Sequence, residues 1–89
     1  MSNFYYVYVL RSSKDGNFYV GYCNDLKRRV GQHNDGQVQS TASRRPLDLV
    51  YYEACRSQKD ATKREKYLKT AWGKRYIKGR LDDYLTGCM

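Results

Sequence analysis

In the stretch LKRRVGQHN, Leu26, Arg29, Val30 and His33 fall at i, i+3, i+4 and i+7, one face of any helix formed there. A stripe that must bury Leu26 and Val30 therefore also carries an arginine and the chain's one histidine. Further along, Glu65 stands four residues after Ala61 and three before Leu68, inside a second apolar stripe from which Lys63, Lys66 and Lys69 are turned away. A carboxylate buried without a partner costs several kcal/mol, so Glu65 must hold something. Each anomaly has a plain structural reading. Arg29 can lay its stem over Leu26, His33 can close the last turn beside the helix C-terminus, and Glu65 can form an ordinary ion pair with a nearby lysine.

Taken together, the three types match the needs of phosphodiester hydrolysis. Water must be activated, the crowded phosphate oxygens must be neutralised, and the leaving oxygen must be stabilised. Arg29 suits a bidentate clamp on phosphate. One carboxylate, Glu65, with waters and a phosphate oxygen is a sufficient site for Mg²⁺ or Mn²⁺, since Mg²⁺ is often held by only one or two carboxylates. His33 or a tyrosine would move protons, the tyrosine needing its pKa of ~10 lowered by a nearby metal or cation.

The elements that must position these groups are legible in outline. YYVYVLRS is dense in Tyr and Val and alternates poorly, which predicts a strand covered on both faces. SKDGN supplies a turn and FYVGY resumes the β pattern, giving a hairpin. Asn24 or Asp25 caps a helix running to about Asn34 and ending at Asp35 and Gly36. The polar, basic GQVQSTASRRP reads as a loop. LDLVYYEA reads as a third strand, with Leu47, Leu49, Tyr51 and Glu53 on one side and Asp48, Val50, Tyr52 and Ala54 on the other. A helix capped at Ser57 or Asp60 is expected to reach Trp72, broken by Gly73, before a shorter basic helix interrupted by Gly79. The result is a single α+β domain over residues 1–89, a small antiparallel or mixed sheet with one layer of helices as a sufficient core.

Seventeen Lys and Arg against nine Asp and Glu give a net charge of +8, which suits a polyanionic partner. No run approaches the ~20 apolar residues of a membrane span, and a cytoplasmic, non-membrane protein is expected. Cys23, Cys55 and Cys88 contain no CxxC pair, which points to reduced thiols rather than a disulfide framework or a structural zinc site.

At this point the sequence resembles the GIY-YIG nuclease domain, in particular its small stand-alone members. The first motif stands as Tyr6-Val7-Tyr8 and the second as Tyr19-Val20-Gly21, followed by NDLKRR with Arg29, QHN with His33, and REKYLK with Glu65. The resemblance implies a three-stranded sheet flanked by helices in the order β-β-α-β-α-α, and a one-metal phosphodiesterase. Tyr8 would then be the general base or its partner, Tyr19 the second motif tyrosine, Arg29 the phosphate clamp, His33 a proton-relay residue and Glu65 the ligand of Mg²⁺ or Mn²⁺. Gly21, lacking a Cβ, would let substrate or the helix approach the strand. The glycine that names the first motif is Tyr6 here, and an asparagine that often follows the metal glutamate in larger members has no counterpart.

Tyr6, Gly21, Arg28, Arg44, Arg45 and Lys74 complete the substrate-binding candidates. Arg44 and Arg45 would present guanidinium groups ahead of Pro46, and Lys74 shares a face with Lys78. Two functions follow. One is a metal-dependent endonuclease acting on DNA in preference to RNA, on structured or damaged DNA in repair or recombination. The other is a non-catalytic nucleic-acid-binding module with the same fold. Specific interfaces bury ~1,000 Å² or more, so strong site specificity would need a homodimer or an accessory protein.

Overall fold

A computed structural model describes residues 3–87. YYVYVLRS and FYVGYC form β1 (Tyr5–Ser12) and β2 (Phe18–Cys23), an antiparallel hairpin whose turn places Gly16 at φ +73°, where a glycine avoids the Cβ penalty. Ser12 pins that turn: its buried hydroxyl accepts from the backbone N–H of Lys14 and Asp15 and donates to the Arg44 carbonyl at 2.6 Å. β3 (Leu47–Cys55) pairs antiparallel on the other side of β1, giving the strand order β2-β1-β3.

β1 is covered on both faces, as its unbroken apolar run predicts. Val7 and Val9 pack with Val20 under α2 (Gln58–Leu68) and α3 (Ala71–Arg80), where Ala61, Leu68 and Ile77 are fully buried. Full burial of a side chain the size of Leu68 or Ile77 contributes about 2 kcal/mol. Tyr8 and Leu10 point the other way, with Leu47, onto Leu26 and Val30 of α1 (Leu26–Asn34). Helices therefore flank the sheet on both faces, one layer more than a sufficient core needs. A central strand apolar on both sides leaves no other arrangement dry.

Local features of β3, of the α2–α3 break and of the basic loop differ from the sequence reading. A bulge opposite Val9 and Leu10 switches the phase of β3, so Leu47 and Leu49 pair with Ser12 and Leu10 while Tyr51 and Glu53 pair with Val9 and Val7. The four residues assigned to one side of this strand thus divide between two. Thr70, not Gly73, separates α2 from α3: its hydroxyl accepts from the Gly73 N–H and starts a new helix, leaving Trp72 exposed. Gly73 lies within α3, where a Cβ would overlap the Tyr67 carbonyl and Leu68 Cα, and Gly79 also falls inside that helix. The basic loop contains a 3-10 turn at Ala42–Arg44, and α4 (Asp82–Thr86) closes the described chain. Cys23 and Cys55 are free thiols, and Cys88 lies outside the described residues.

Candidate active site

Asp25 caps α1, its carboxylate accepting from the Arg28 N–H, and Asn34 fastens the far end by a pair of hydrogen bonds to the backbone of Leu47, at 2.9 and 2.8 Å. Held at both ends, α1 turns the predicted face inward. The residue it buries most completely is neither Leu26 nor Val30 but His33.

His33 sits in a line of hydrogen bonds. Arg29 Nε donates to Tyr8 Oη at 3.3 Å, Tyr8 Oη lies 2.8 Å from His33 Nε2, and His33 Nδ1 lies 2.7 Å from Thr41 Oγ1. A guanidinium can only donate, so the single hydroxyl proton of Tyr8 points to His33 Nε2. The proton of the neutral imidazole is then on Nδ1 and goes to Thr41, whose hydroxyl in turn donates to the Val38 carbonyl at 3.4 Å. Tyr8, His33 and Thr41 are fully buried, and each of the three donates to an acceptor.

Burial pushes the Tyr8 phenol up to about 12 against the opposing Arg29 hydrogen bond. Burial first, and the Arg29 charge second, push His33 down from 6.5 to about 4. At neutral pH the proton therefore stays on Tyr8 and His33 is an uncharged acceptor. Between 4 and 6.5 the unfolded chain holds a proton on this histidine that the folded chain rejects. Stability from keeping His33 neutral is complete above 6.5 and is lost as pH falls through the window to 4. The shift corresponds to about 3 kcal/mol. Urea unfolding at neutral pH and at the lower end of that window is expected to show wild type losing about 3 kcal/mol more than His33→Gln. Equal losses would mean that His33 is not held uncharged.

Tyr19, from the edge strand β2, lays its ring 5.0 Å from the His33 ring and 6.4 Å from that of Tyr8. Gly21 stands opposite Tyr8 in the register, and a Cβ there would overlap the Tyr8 ring and hydroxyl. The close approach that this glycine permits is thus made by Tyr8, rather than by substrate or helix. Tyr6 packs edge-on against Tyr52, ring centroids 5.9 Å apart, in the space next to the first motif.

The outer end of the line is open. Arg29 Nη1 donates to Gln32 Oε1 at 3.0 Å, and Arg28, Arg29, Gln32, Cys23 and Asp25 border a concavity of about 300 Å³. Arg28 is exposed at its rim. A second concavity, of about 400 Å³, is lined by Tyr19 with Lys69, Lys74 and Lys78.

Tyr8, Tyr19, Arg29 and His33 are thus brought together, but the line does not include Glu65. That residue belongs to α2 on the opposite sheet face, where its carboxylate meets Lys69 Nζ at 2.9 Å. Lys69, its ion-pair partner, lines the concavity of about 400 Å³ with Tyr19. Among the described residues no three of His, Cys, Asp and Glu cluster to hold a metal ion. Glu65 does fit a metal held mainly by water: an oxygen donor, partly exposed, with a lysine partner that a cation would displace.

Arg44 and Arg45 are engaged within the protein. Arg44 pairs with Asp15 at 3.2 Å and donates to the Asn17 carbonyl, fastening the β1–β2 turn, while Arg45 Nε donates to the Ala42 carbonyl at 2.7 Å. Sequence reasoning missed Thr41, Gln32 and Asn34. Thr41 carries no signal in a polar loop, whereas Gln32, at i+3 from Arg29, was available to helical spacing.

Residues 4–80 match the model of the GIY-YIG catalytic domain. The chain belongs to the GIY-YIG family. Among its relatives, a UPF0213 protein of Staphylococcus saprophyticus is 42% identical over 67 residues, covering 74% of this chain and 80% of the relative. A UPF0213 protein of Staphylococcus aureus is 43% identical over the same length and coverage. The solution NMR structure of a UPF0213 protein from Bacillus halodurans superposes with a TM-score of 0.52 at 34% identity, covering 83% of this chain and 81% of that one. This GIY-YIG domain is accordingly a small member of the family, with the three-stranded antiparallel sheet and the β-β-α-β-α-α order, followed by the short α4. Among the described residues no helix is long and apolar enough to cross a membrane.

Proposed function

We propose that this GIY-YIG domain is a divalent-metal-dependent endonuclease that hydrolyses phosphodiester bonds in DNA. The observation that carries the reading is the buried line Arg29–Tyr8–His33–Thr41, which ends in a guanidinium at an open concavity. Arg29 would hold a phosphate oxygen through its remaining donors, with Arg28 beside it. Tyr8 would accept a proton from water on its oxygen while passing its own to His33 Nε2. Thr41 keeps that nitrogen free to receive it. Glu65 is the residue that would hold Mg²⁺ or Mn²⁺, and the bound ion supplies Lewis-acid stabilisation of the developing negative charge. Tyr19 and Lys74 would flank the strand in the larger concavity.

A second reading is a nucleic-acid-binding module of the same fold without catalysis. It is favoured by the resting protonation, since Tyr8 near 12 and His33 near 4 leave neither poised at neutral pH. Purified protein on supercoiled plasmid separates the two. The nuclease is expected to nick with Mg²⁺ or Mn²⁺ and to stop in EDTA. Binding that persists in both, with no nicking in either, would establish the module instead.

A further inference from the structure

Residues 61–80, which hold most of α2 and all of α3, contain eight Lys and Arg against Glu65 alone, so +7 of the chain's +8 resides there. On this surface Trp72, the chain's one tryptophan, is 67% exposed, although tryptophan is on average a highly buried residue. The Arg75 guanidinium lies 4.9 Å from its ring centroid. Trp72, Arg75 and Lys78 are spaced i, i+3, i+6, a continuous ridge on one helix, and Lys78 at its end lines a concavity with Tyr19, whose ring packs against Tyr8 and His33 of the candidate active site.

We propose that the ridge Trp72–Arg75–Lys78 seats a single strand of DNA leaving the site beside Tyr19, with phosphates on Arg75 and Lys78 and an unpaired base stacked on Trp72. The choice of DNA rests on the nuclease reading. Charge selects a polyanion, and the flat exposed indole selects the face of a base. A duplex buries base faces in its own stack and presents only edges in its grooves, so the partner is unpaired. Cations that track a backbone interleaved with aromatic rings are the general device for holding such strands.

Because Trp72 is the single tryptophan, its emission reports the contact directly. In EDTA, an oligothymidine strand is expected to quench that emission, and a blunt duplex of equal length is expected to leave it nearly unchanged. By anisotropy of a labelled strand, Trp72→Ala should weaken binding roughly 5- to 100-fold and Trp72→Phe should restore most of it. Arg75→Ala and Lys78→Ala should each flatten the log–log salt dependence by about 0.7. Equal quenching by duplex, or unchanged strand affinity in Trp72→Ala, overturns the proposal. Plasmid nicking is scored separately: an unaltered Mg²⁺-dependent activity would survive failure of the ridge, and a ridge that binds without any nicking would survive failure of the nuclease.

Discussion

Tyr8→Phe is expected to reduce Mg²⁺-dependent plasmid nicking by roughly 10²- to 10⁴-fold, the range of a positioned proton-transfer group. The substitution removes one oxygen and leaves the ring that fills the space over Gly21. Its consequences concentrate in the hydrogen-bonded line. Arg29 Nε loses an acceptor and His33 Nε2, fully buried, loses its donor. An unsatisfied buried group costs about 1–3 kcal/mol, so thermal unfolding should fall by several degrees while the domain still folds. Single-turnover nicking beside a urea melt separates the two effects. Nicking within threefold of wild type would mean that water's proton does not travel through Tyr8.

Local chemistry in the sequence specified much of this arrangement. The Asp25 cap, the α1 face and the covering of β1 on both sides follow from helical spacing and an unbroken apolar run, and each is found in the structure. What spacing could not show was depth. Leu26, Val30 and His33 share one face, but only the register of Tyr8 against Gly21 and the turn at Thr41 decide that the histidine is the most buried. The β3 bulge was illegible for a related reason: period-two reading holds only while each residue has one partner, and the extra residue near Val50 reverses the faces. The α2–α3 break shows local chemistry outweighed by periodicity in the reading. Thr70 is a good cap, yet Leu68 and Trp72 at i, i+4 imitate a continuing stripe. Glu65 was correctly legible as an inward-leaning carboxylate with a lysine beside it, whereas its side of the sheet depended on a second helix layer that the pattern of α2 alone does not reveal.

Glu65→Ala and Glu65→Gln should both lower nicking by roughly 10²- to 10⁴-fold, since a metal contributes several kcal/mol of charge stabilisation and each 1.36 kcal/mol is a factor of ten. The decisive accompaniment is stability. In the structure Glu65 makes an i,i+4 pair with Lys69, whose side chain is 52% exposed. Such a pair is worth about 0.3–0.5 kcal/mol, too little to unfold the domain or shift its melting by more than a few degrees. A carboxylate needed only for that ion pair would therefore be nearly silent in activity. One needed to hold Mg²⁺ would abolish most nicking in a protein that melts as wild type does, and Glu65→Asp, which keeps the charge and shortens the reach, should recover part of it at raised Mg²⁺. If the alanine and glutamine variants nick like wild type, Glu65 is not the metal ligand. The activity would then have to be carried by the Arg29–Tyr8–His33 line on the other face of the sheet.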